Sequence, residues 1–231
     1  MPRVKQGSYD EYVTAIISEL ERELKKGKAI LIVFADHTKL KRFSKEIRIR
    51  NPRIHGYKPP LELTDSLDDN ERQSVITRAI RRYSVTLVTR PYGRGTDFVC
   101  RDQGLRDNGG VHLVCTFYPE HASEDKQVNG RVCRQDDPGS SRKILFDEDL
   151  MYLDASEKKK MQSGIEDWDE FLGQRRIHLE HETYQKMKQE HKQQLERHEK
   201  TLDASAKVCT LRCSFTGVHQ GNRHLATPVL V

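Results

Sequence analysis

Residues 127–134 read Gln-Val-Asn-Gly-Arg-Val-Cys-Arg and contain two arginines with no acidic residue between them. If this stretch is helical, Gln127, Arg131 and Arg134 occupy positions i, i+4 and i+7 and project from one face. Two guanidinium groups on one face repel each other unless they meet an anion, and their N–H donors match the oxygens of a phosphate. The stretch therefore predicts a phosphate-binding face. The alternative is a solvated charged surface on an ordinary helix.

Segments of strand and helix character alternate on both sides of this stretch. The continuous apolar run at 29–35 predicts a strand that is covered on both faces, as in a parallel sheet. Further strands are predicted at 85–89, 111–116 and 143–146. Helices are predicted after the capping residues Ser8, Asp68 and Ser123, and around Leu40, Phe43 and Ile47. This alternation predicts an α/β fold with a mostly parallel sheet flanked by helices.

The C-terminal part of the chain has a different composition. Residues 156–202 are highly polar, with balanced charges and a few apolar residues at helical spacing, among them Trp168, Leu172, Tyr184, Leu195 and Leu202. This pattern predicts a long helix with a thin apolar seam, which packs on the domain or on a partner helix, or remains solvated. Residues 203–231 show no clear period and are predicted to form a loose tail.

Composition limits the classes of protein that fit. The net charge of +5 neither requires nor excludes a nucleic-acid partner. The longest apolar run, residues 29–35, is too short to cross a membrane. Five cysteines form no disulfide framework, which favours a reduced, cytoplasmic compartment. Cysteines and histidines near the C-terminus are spaced too closely for a two-cysteine, two-histidine zinc finger, so we predict no metal site at Cys209, Cys213, His219 and His224.

Residues 90–97, directly after the predicted strand 85–89, read Arg-Pro-Tyr-Gly-Arg-Gly-Thr-Asp. Ligands of parallel α/β sheets bind beyond the carboxyl ends of the strands. Gly93 and Gly95 would let the backbone approach a ligand, and Asp97 could accept a hydrogen bond from a ribose hydroxyl or orient an arginine. The alternative is a plain glycine-containing turn. Because the helix of Gln127 follows the next strand, both segments are expected at one edge of the sheet.

Together the two segments resemble the last two motifs of the RecA-like helicases and translocases. Gln-x-x-Gly-Arg-x-x-Arg at 127–134 matches motif six of that superfamily. The wider match is closer to SecA, the preprotein translocase ATPase, whose second nucleotide-binding domain is similar to residues 85–89, 93–97, 109–112 and 130–142. The resemblance runs from about Tyr12 to Met151. It implies a RecA-like motor domain of the P-loop NTPase type at 8–153.

The resemblance also implies roles for individual residues. In that family, ATP with Mg²⁺ lies between two RecA-like domains, and the first supplies the Walker A loop and the Mg²⁺ ligands. Arg134 would be the arginine finger with Arg131 beside it, and Gln127 would sense the γ-phosphate. Residues at 93–97 would contact the nucleotide and couple its state to the motor; these are Gly93, Arg94, Gly95, Thr96 and Asp97. The sequence contains no Gly-x-x-x-x-Gly-Lys-Ser/Thr, so ATP turnover is expected only beside a first domain.

Three functions fit this pattern. The first is half of a SecA-like motor that moves unfolded preprotein through a channel, in the cytoplasm or peripherally at a membrane. The second is the C-terminal domain of a nucleic-acid helicase, since motif six is shared, and steeply salt-dependent binding of single-stranded RNA would favour it. The third is a degenerate, non-catalytic interaction module whose 156–202 helix docks a partner.

Overall fold

The structure, a computed structural model, describes residues 3–5, 8–50, 58–96, 98, 100, 102–130, 132, 138–150 and 168–215. It divides into two compact units, Met1–Ile177 and His178–Val231. The first unit contains the sheet and the helices around it. The second contains the greater part of the long C-terminal helix.

A parallel sheet of six strands forms the centre of the first unit. The strand order is β1-β6-β5-β2-β4-β3, and every neighbouring pair is parallel. The strands are β1 (Arg3–Lys5), β2 (Ala29–Phe34), β3 (Leu61–Leu63), β4 (Val85–Thr89), β5 (Val111–Cys115) and β6 (Gly139–Phe146). Of these, β6 begins four residues before the predicted strand.

Helices connect the strands. They are α1 (Tyr9–Leu24), α2 (His37–Arg50), α3 (Asp69–Ala79), α4 (Arg90–Gly95), α5 (Gln103–Asp107), α6 (Ala122–Asn129), a 3-10 helix (Asp147–Leu150) and α7 (Trp168–Phe215). The predicted caps Ser8 and Asp68 open α1 and α3, and Asp68 forms a capping box with Glu71. Helix α7 extends to Phe215. Residues 203–215, which were predicted to be part of a loose tail, are therefore helical. Residues 151–167 lie outside the described part.

Alternate side chains of β2 enter two different hydrophobic cores. Ile30, Ile32 and Phe34 belong to one buried cluster, whereas Leu31 and Val33 belong to another. Successive residues of a strand point to opposite faces of the sheet, so both faces are covered. This arrangement confirms the predicted α/β fold, with a parallel sheet flanked by helices and a long C-terminal helix.

Polar side chains pair in the interior between α1 and the amino ends of the strands. Lys28 Nζ lies 2.8 Å from Glu23 Oε2 and donates to Ser140 Oγ at 2.9 Å. His112 Nδ1 lies 2.8 Å from the same Ser140 oxygen, and His112 Nε2 lies 3.2 Å from Glu19 Oε1. Arg142 Nη1 also lies 3.1 Å from Glu19 Oε2, so each buried carboxylate of this network has a cationic partner, as the interior requires.

Burial shapes the titration of this network. Loss of hydration lowers the pKa of His112 to about 4, and the nearby Glu23 carboxylate only partly opposes that shift. For Glu23 itself, burial alone would raise the pKa. Hydrogen bonds from Lys26, Lys28 and Arg22 outweigh that effect and hold the pKa of the Glu23 carboxyl well below its usual range. In the folded protein the imidazole is therefore neutral and the carboxylate charged at neutral pH.

Two glycines at the entrance to β5 provide a matched test of local packing. Gly109 and Gly110 both have positive φ, 86° and 70°. A Cβ on Gly110 would lie 1.7 Å from the Pro138 carbonyl oxygen, whereas on Gly109 it would lie 3.1 Å from the flexible Lys28 Cε. Each alanine adds about 1 kcal/mol of backbone strain. Only Gly110→Ala adds a clash with backbone.

We therefore expect Gly110→Ala to lower the free energy of unfolding by at least about 2 kcal/mol more than Gly109→Ala. Urea denaturation of the two variants side by side measures the difference. Equal destabilisation by the two alanines would contradict the close approach between Gly110 and Pro138.

The free energy of unfolding should fall as the pH is lowered from 6.5 to 5. In this window His112 stays neutral in the folded state, where its pKa is about 4. In the unfolded chain it gains a proton. The unfolded state then binds more protons, and the loss should reach about 2 kcal/mol at pH 5. Urea denaturation at a series of pH values measures it. A His112→Gln variant should show a flatter dependence; if its slope matches the unchanged protein, His112 is not the cause.

Candidate functional site

The carboxyl ends of β2, β4 and β5 lie side by side at one edge of the sheet. Strand β2 lies between the other two, with Phe34 opposite Thr89 and Val33 opposite Cys115. The chain segments that leave β4 and β5 therefore start on either side of the end of β2. Ligands of parallel sheets bind at this edge, which makes it the candidate functional site.

The segment after β4 is helical rather than an open glycine loop. Arg90–Gly95 form α4, with Pro91 in its first turn, where its missing N–H removes no helical hydrogen bond. Thr96 follows in an extended conformation, and its N–H donates to the Tyr92 carbonyl at 3.3 Å. Gly93, Arg94 and Gly95 thus have helical backbones, which corrects the predicted loop. Asp97 lies outside the described residues.

The helix predicted through 127–134 ends earlier. It starts at Ala122, with His121 rather than Ser123 at its N-cap, and stops at Asn129. The Asn129 amide donates to the carbonyl and carboxylate oxygens of Asp125 at 2.9 and 3.0 Å. Gly130 follows, and glycine is costly in a helix interior. The interpretation of one continuous helical face is therefore wrong.

These bounds determine where the predicted site residues lie. Gln127 is exposed in the last turn of α6. Arg131 and Arg134 lie outside the described residues. Their assignment stays a prediction, now as residues that follow the C-terminus of α6 rather than continue it.

An ion pair joins α4 to α6. Arg90 Nε donates to Glu124 Oε1 at 2.5 Å, and Arg90 Nη2 donates to Glu124 Oε2, so the contact is bidentate. The Glu124 side chain is only 3% exposed, against 30% for Arg90. The hydrogen bonds with Glu124 raise the pKa of Arg90. The two segments expected at one edge are thus directly connected.

The Arg90–Glu124 pair forms the contact between α4 and α6. Neither residue was among the predicted site residues. A signal was present, because an arginine directly follows a buried strand and a glutamate opens the helix after the next strand. Arg90 also lies 5.5 Å from the centre of the Phe117 ring. Glu124 also lies in the first turn of α6. A carboxylate in that position is stabilised by the positive end of the helix dipole.

A second carboxylate on α6 connects this helix to β6 and to the start of α7. Asp125 Oδ2 lies 2.7 Å from Lys143 Nζ and 3.4 Å from Arg176 Nη1. Both cations also approach the ring of Tyr118, at 5.2 and 5.0 Å from its centre. Leu172, one turn before Arg176, is fully buried. Adjacent acidic residues therefore hold α6 to α4 on one side and to β6 and α7 on the other.

The thiol of Cys115 is buried and protonated at neutral pH. Burial raises the pKa of Cys115 to about 12, and its thiol donates to the Phe117 carbonyl, so it remains protonated. The described residues contain no cluster of three or more metal-ligating side chains. Among them, too, no helix is both long enough and apolar enough to cross a membrane. The side chains of Cys209, Cys213, His219 and His224 lie outside the described part.

Removal of the Glu124 carboxylate should destabilise the protein. Because Arg90 would lose a bidentate partner in a half-buried position, we expect Glu124→Ala to lower the free energy of unfolding by about 2–3 kcal/mol. Glu120→Ala, an exposed glutamate four residues earlier, should change it by less than about 0.5 kcal/mol. A double-mutant cycle with Arg90→Met measures the coupling. A coupling near zero would show that the pair does not join the two helices.

The sequence of this chain is similar to part of the SecA proteins. No family model matches the chain. It is 31% identical over 165 residues to protein translocase subunit SecA 2 of Geobacillus thermodenitrificans, and 30% identical over 148 residues to SecA of Halothermothrix orenii. These matches cover 71% and 64% of this chain, but only 20% and 17% of those relatives.

Among solved structures, similarity is found to domain 2 of a DEAD-box helicase bound to an RNA duplex, with 18% identity and a TM-score of 0.48 over 64% of this chain and 55% of that one. The Escherichia coli DEAD-box protein SrmB, solved with a regulator of ribonuclease activity, matches with 14% identity and a TM-score of 0.49 over 65% and 79%. The sequence matches confirm the resemblance drawn from the motifs. This chain is SecA-like, and it is similar to about a fifth of the length of the SecA protein translocase subunit.

Proposed function

We propose that this chain supplies the second RecA-like half of an ATP-driven protein-translocation motor of the SecA type. The observation that carries the proposal is the sequence similarity to SecA, together with the complete Gln-x-x-Gly-Arg-x-x-Arg motif at 127–134. ATP with Mg²⁺ would lie between this edge and a first RecA-like domain, which supplies the Walker A loop and the Mg²⁺ ligands. That domain would be present in the same polypeptide or in a partner.

In this proposal, the basic residues after α6 supply charge to the reaction. Arg134 would contact the transferring phosphoryl group as the arginine finger, and Arg131 would lie beside it. A guanidinium in that position offsets negative charge that develops in the transition state. Gln127, in the last turn of α6, would hydrogen-bond the γ-phosphate or the attacking water.

The residues after β4 would couple the nucleotide to the motor. Gly93, Arg94, Gly95, Thr96 and Asp97 belong to α4 and the segment that follows it, and α4 is held to α6 through Arg90 and Glu124. A shift of α6 on loss of the γ-phosphate would therefore be transmitted to α4. It would also reach the first turns of α7, because Arg176 contacts Asp125.

The proposed substrate and cellular location are based on the relatives rather than on the candidate site. Relatives named as protein translocase subunits support an unfolded preprotein as the substrate and a translocation channel as a partner. Such a motor would work in the cytoplasm and peripherally at a membrane. The matched part is about a fifth or less of each relative, so the complete motor would require further domains.

Arginine replacement tests the proposal. The full chain is mixed with the separately purified first nucleotide-binding domain of the Geobacillus thermodenitrificans relative, and ATP turnover is measured. We expect the mixture to hydrolyse ATP faster than either protein alone. Arg134→Ala should lower the stimulated rate by about 10³-fold or more, to the level of the first domain alone. Arg197→Ala, an exposed arginine on α7, removes the same charge and should leave the rate unchanged.

The outcomes separate the possible functions. Stimulation that survives in Arg134→Ala would overturn the arginine-finger assignment. If the unaltered chain binds the first domain without stimulating turnover, and ATP does not raise its melting temperature there, the chain is a non-catalytic interaction module. A parallel melting curve of each variant controls for loss of folding.

A further inference from the structure

A small cavity at the opposite edge of the sheet is lined by four basic side chains. It measures about 80 Å³, and its lining includes Lys58, Arg78, Arg81 and Arg82 together with the buried residue Ser84. Ser84 directly precedes β4, and Leu61, which also lines the cavity, opens β3. The cavity therefore lies at the amino ends of these strands. The proposed ATP edge lies at their carboxyl ends.

The fold brings these cations together through a tight turn after α3. The helix ends at Ala79, and Tyr83 adopts a positive φ of 62°. The Ser84 N–H donates to the Arg81 carbonyl at 3.1 Å, and the Tyr83 N–H donates to the Lys28 carbonyl at 3.1 Å. These backbone contacts reverse the chain within four residues. Arg81 and Arg82 are thereby held beside Arg78 from the last turn of the helix.

Charge balance distinguishes this cluster from the cations that pair with Glu62 and Glu23. On α2, Lys41 and Arg48 both pair with Glu62, and beneath α1 the ammonium of Lys28 pairs with Glu23. Neither Arg78 nor Arg81 makes an ion pair with any residue in the described part of the chain, and no acidic residue lines the cavity. Close like charges without a counter-charge are stabilised by an anion.

The cluster continues into a polar groove along α3. Arg78 and Arg81 also line a shallower, more open concavity, whose other walls are neutral amide and hydroxyl side chains: Asn70, Gln73, Ser74 and Thr77. These residues recur at helical spacing on the exposed face of α3. The surface thus offers a charged cavity at one end and hydrogen-bonding groups along its length. That arrangement suits an elongated, phosphate-bearing ligand.

We infer that this surface, formed by Lys58, Arg78, Arg81 and Arg82 with the polar face of α3, binds the phosphodiester backbone of single-stranded nucleic acid. One phosphate occupies the cavity, where guanidinium forks donate to its oxygens. The strand continues along α3, whose amides and hydroxyls contact sugar and phosphate without reading the bases. The site is separate from the proposed ATP edge and does not depend on nucleotide hydrolysis.

Fluorescence anisotropy of a short fluorescein-labelled oligothymidylate tests this inference, with the full chain titrated at several salt concentrations. We expect affinity to fall as salt rises. The triple variant Arg78→Gln, Arg81→Gln, Arg82→Gln should bind at least about tenfold more weakly, with the logarithmic salt slope reduced by about 2. The control triple variant Lys186→Gln, Lys188→Gln, Lys192→Gln removes the same charge from exposed positions on α7 and should bind as the unaltered chain does.

Further arms distinguish the source of the phosphate. Tripolyphosphate should compete with the oligonucleotide, since it presents the same oxygens to the cavity. Equal binding by the two triple variants would overturn the inference, and so would absence of binding at low salt. Capture by vesicles of phosphatidylglycerol and phosphatidylcholine without oligonucleotide binding would also overturn it, by assigning the surface to a lipid headgroup. Melting curves verify that both variants are folded.

Discussion

Strand β2 lies at the centre of the sheet, and all six of its side chains from Ala29 to Phe34 are buried. A strand covered on both faces needs helices above and below it, and right-handed connections between parallel strands supply them. This constraint aligns β2, β4 and β5 in one direction. Everything that leaves their carboxyl ends is therefore collected at one edge, which is why α4 and α6 meet there.

Ion pairs, more than apolar contacts, determine where α6 lies. This helix has only eight residues, and its buried residues are Val128 and the charged Glu124. So small an apolar surface contributes little burial energy. The bidentate contact of Glu124 with Arg90, and the contacts of Asp125 with Lys143 and Arg176, therefore hold it in place.

Charged side chains at the amino edge of the sheet occur in two arrangements, one buried and one exposed. Beneath α1, each of Glu19, Glu23 and Lys28 lies beside a group of opposite charge or a hydrogen-bonding side chain. These buried charges therefore need no partner from outside the chain. Next to it, the exposed Arg78 and Arg81 line a cavity to which no acidic residue of the described part of the chain contributes. The first arrangement stabilises the fold. The second leaves positive charge available to an anion from outside.

Periodicity and local composition were sufficient to predict the α/β class and most of the elements. The apolar run at 29–34 and the β-branched stretch at 85–89 favour buried strands. Ser8 and Asp68 mark helix starts through their own side chains. The motif at 127–134 likewise identified the SecA-like relationship, because that information lies in residue identity rather than in geometry.

Tertiary structure decided what depends on distant partners. The extent of α6 was misjudged because the competition between helix and the Asn129–Asp125 contacts cannot be read from spacing. The helical form of 90–95 was missed because glycines suggest a loop until packing is known. The Arg90–Glu124 pair and the cation-lined cavity join residues that are 34 and more than 20 positions apart. Sequence specifies which residues the chain contains; only the folded sheet determines which charges meet and which remain without a counter-charge.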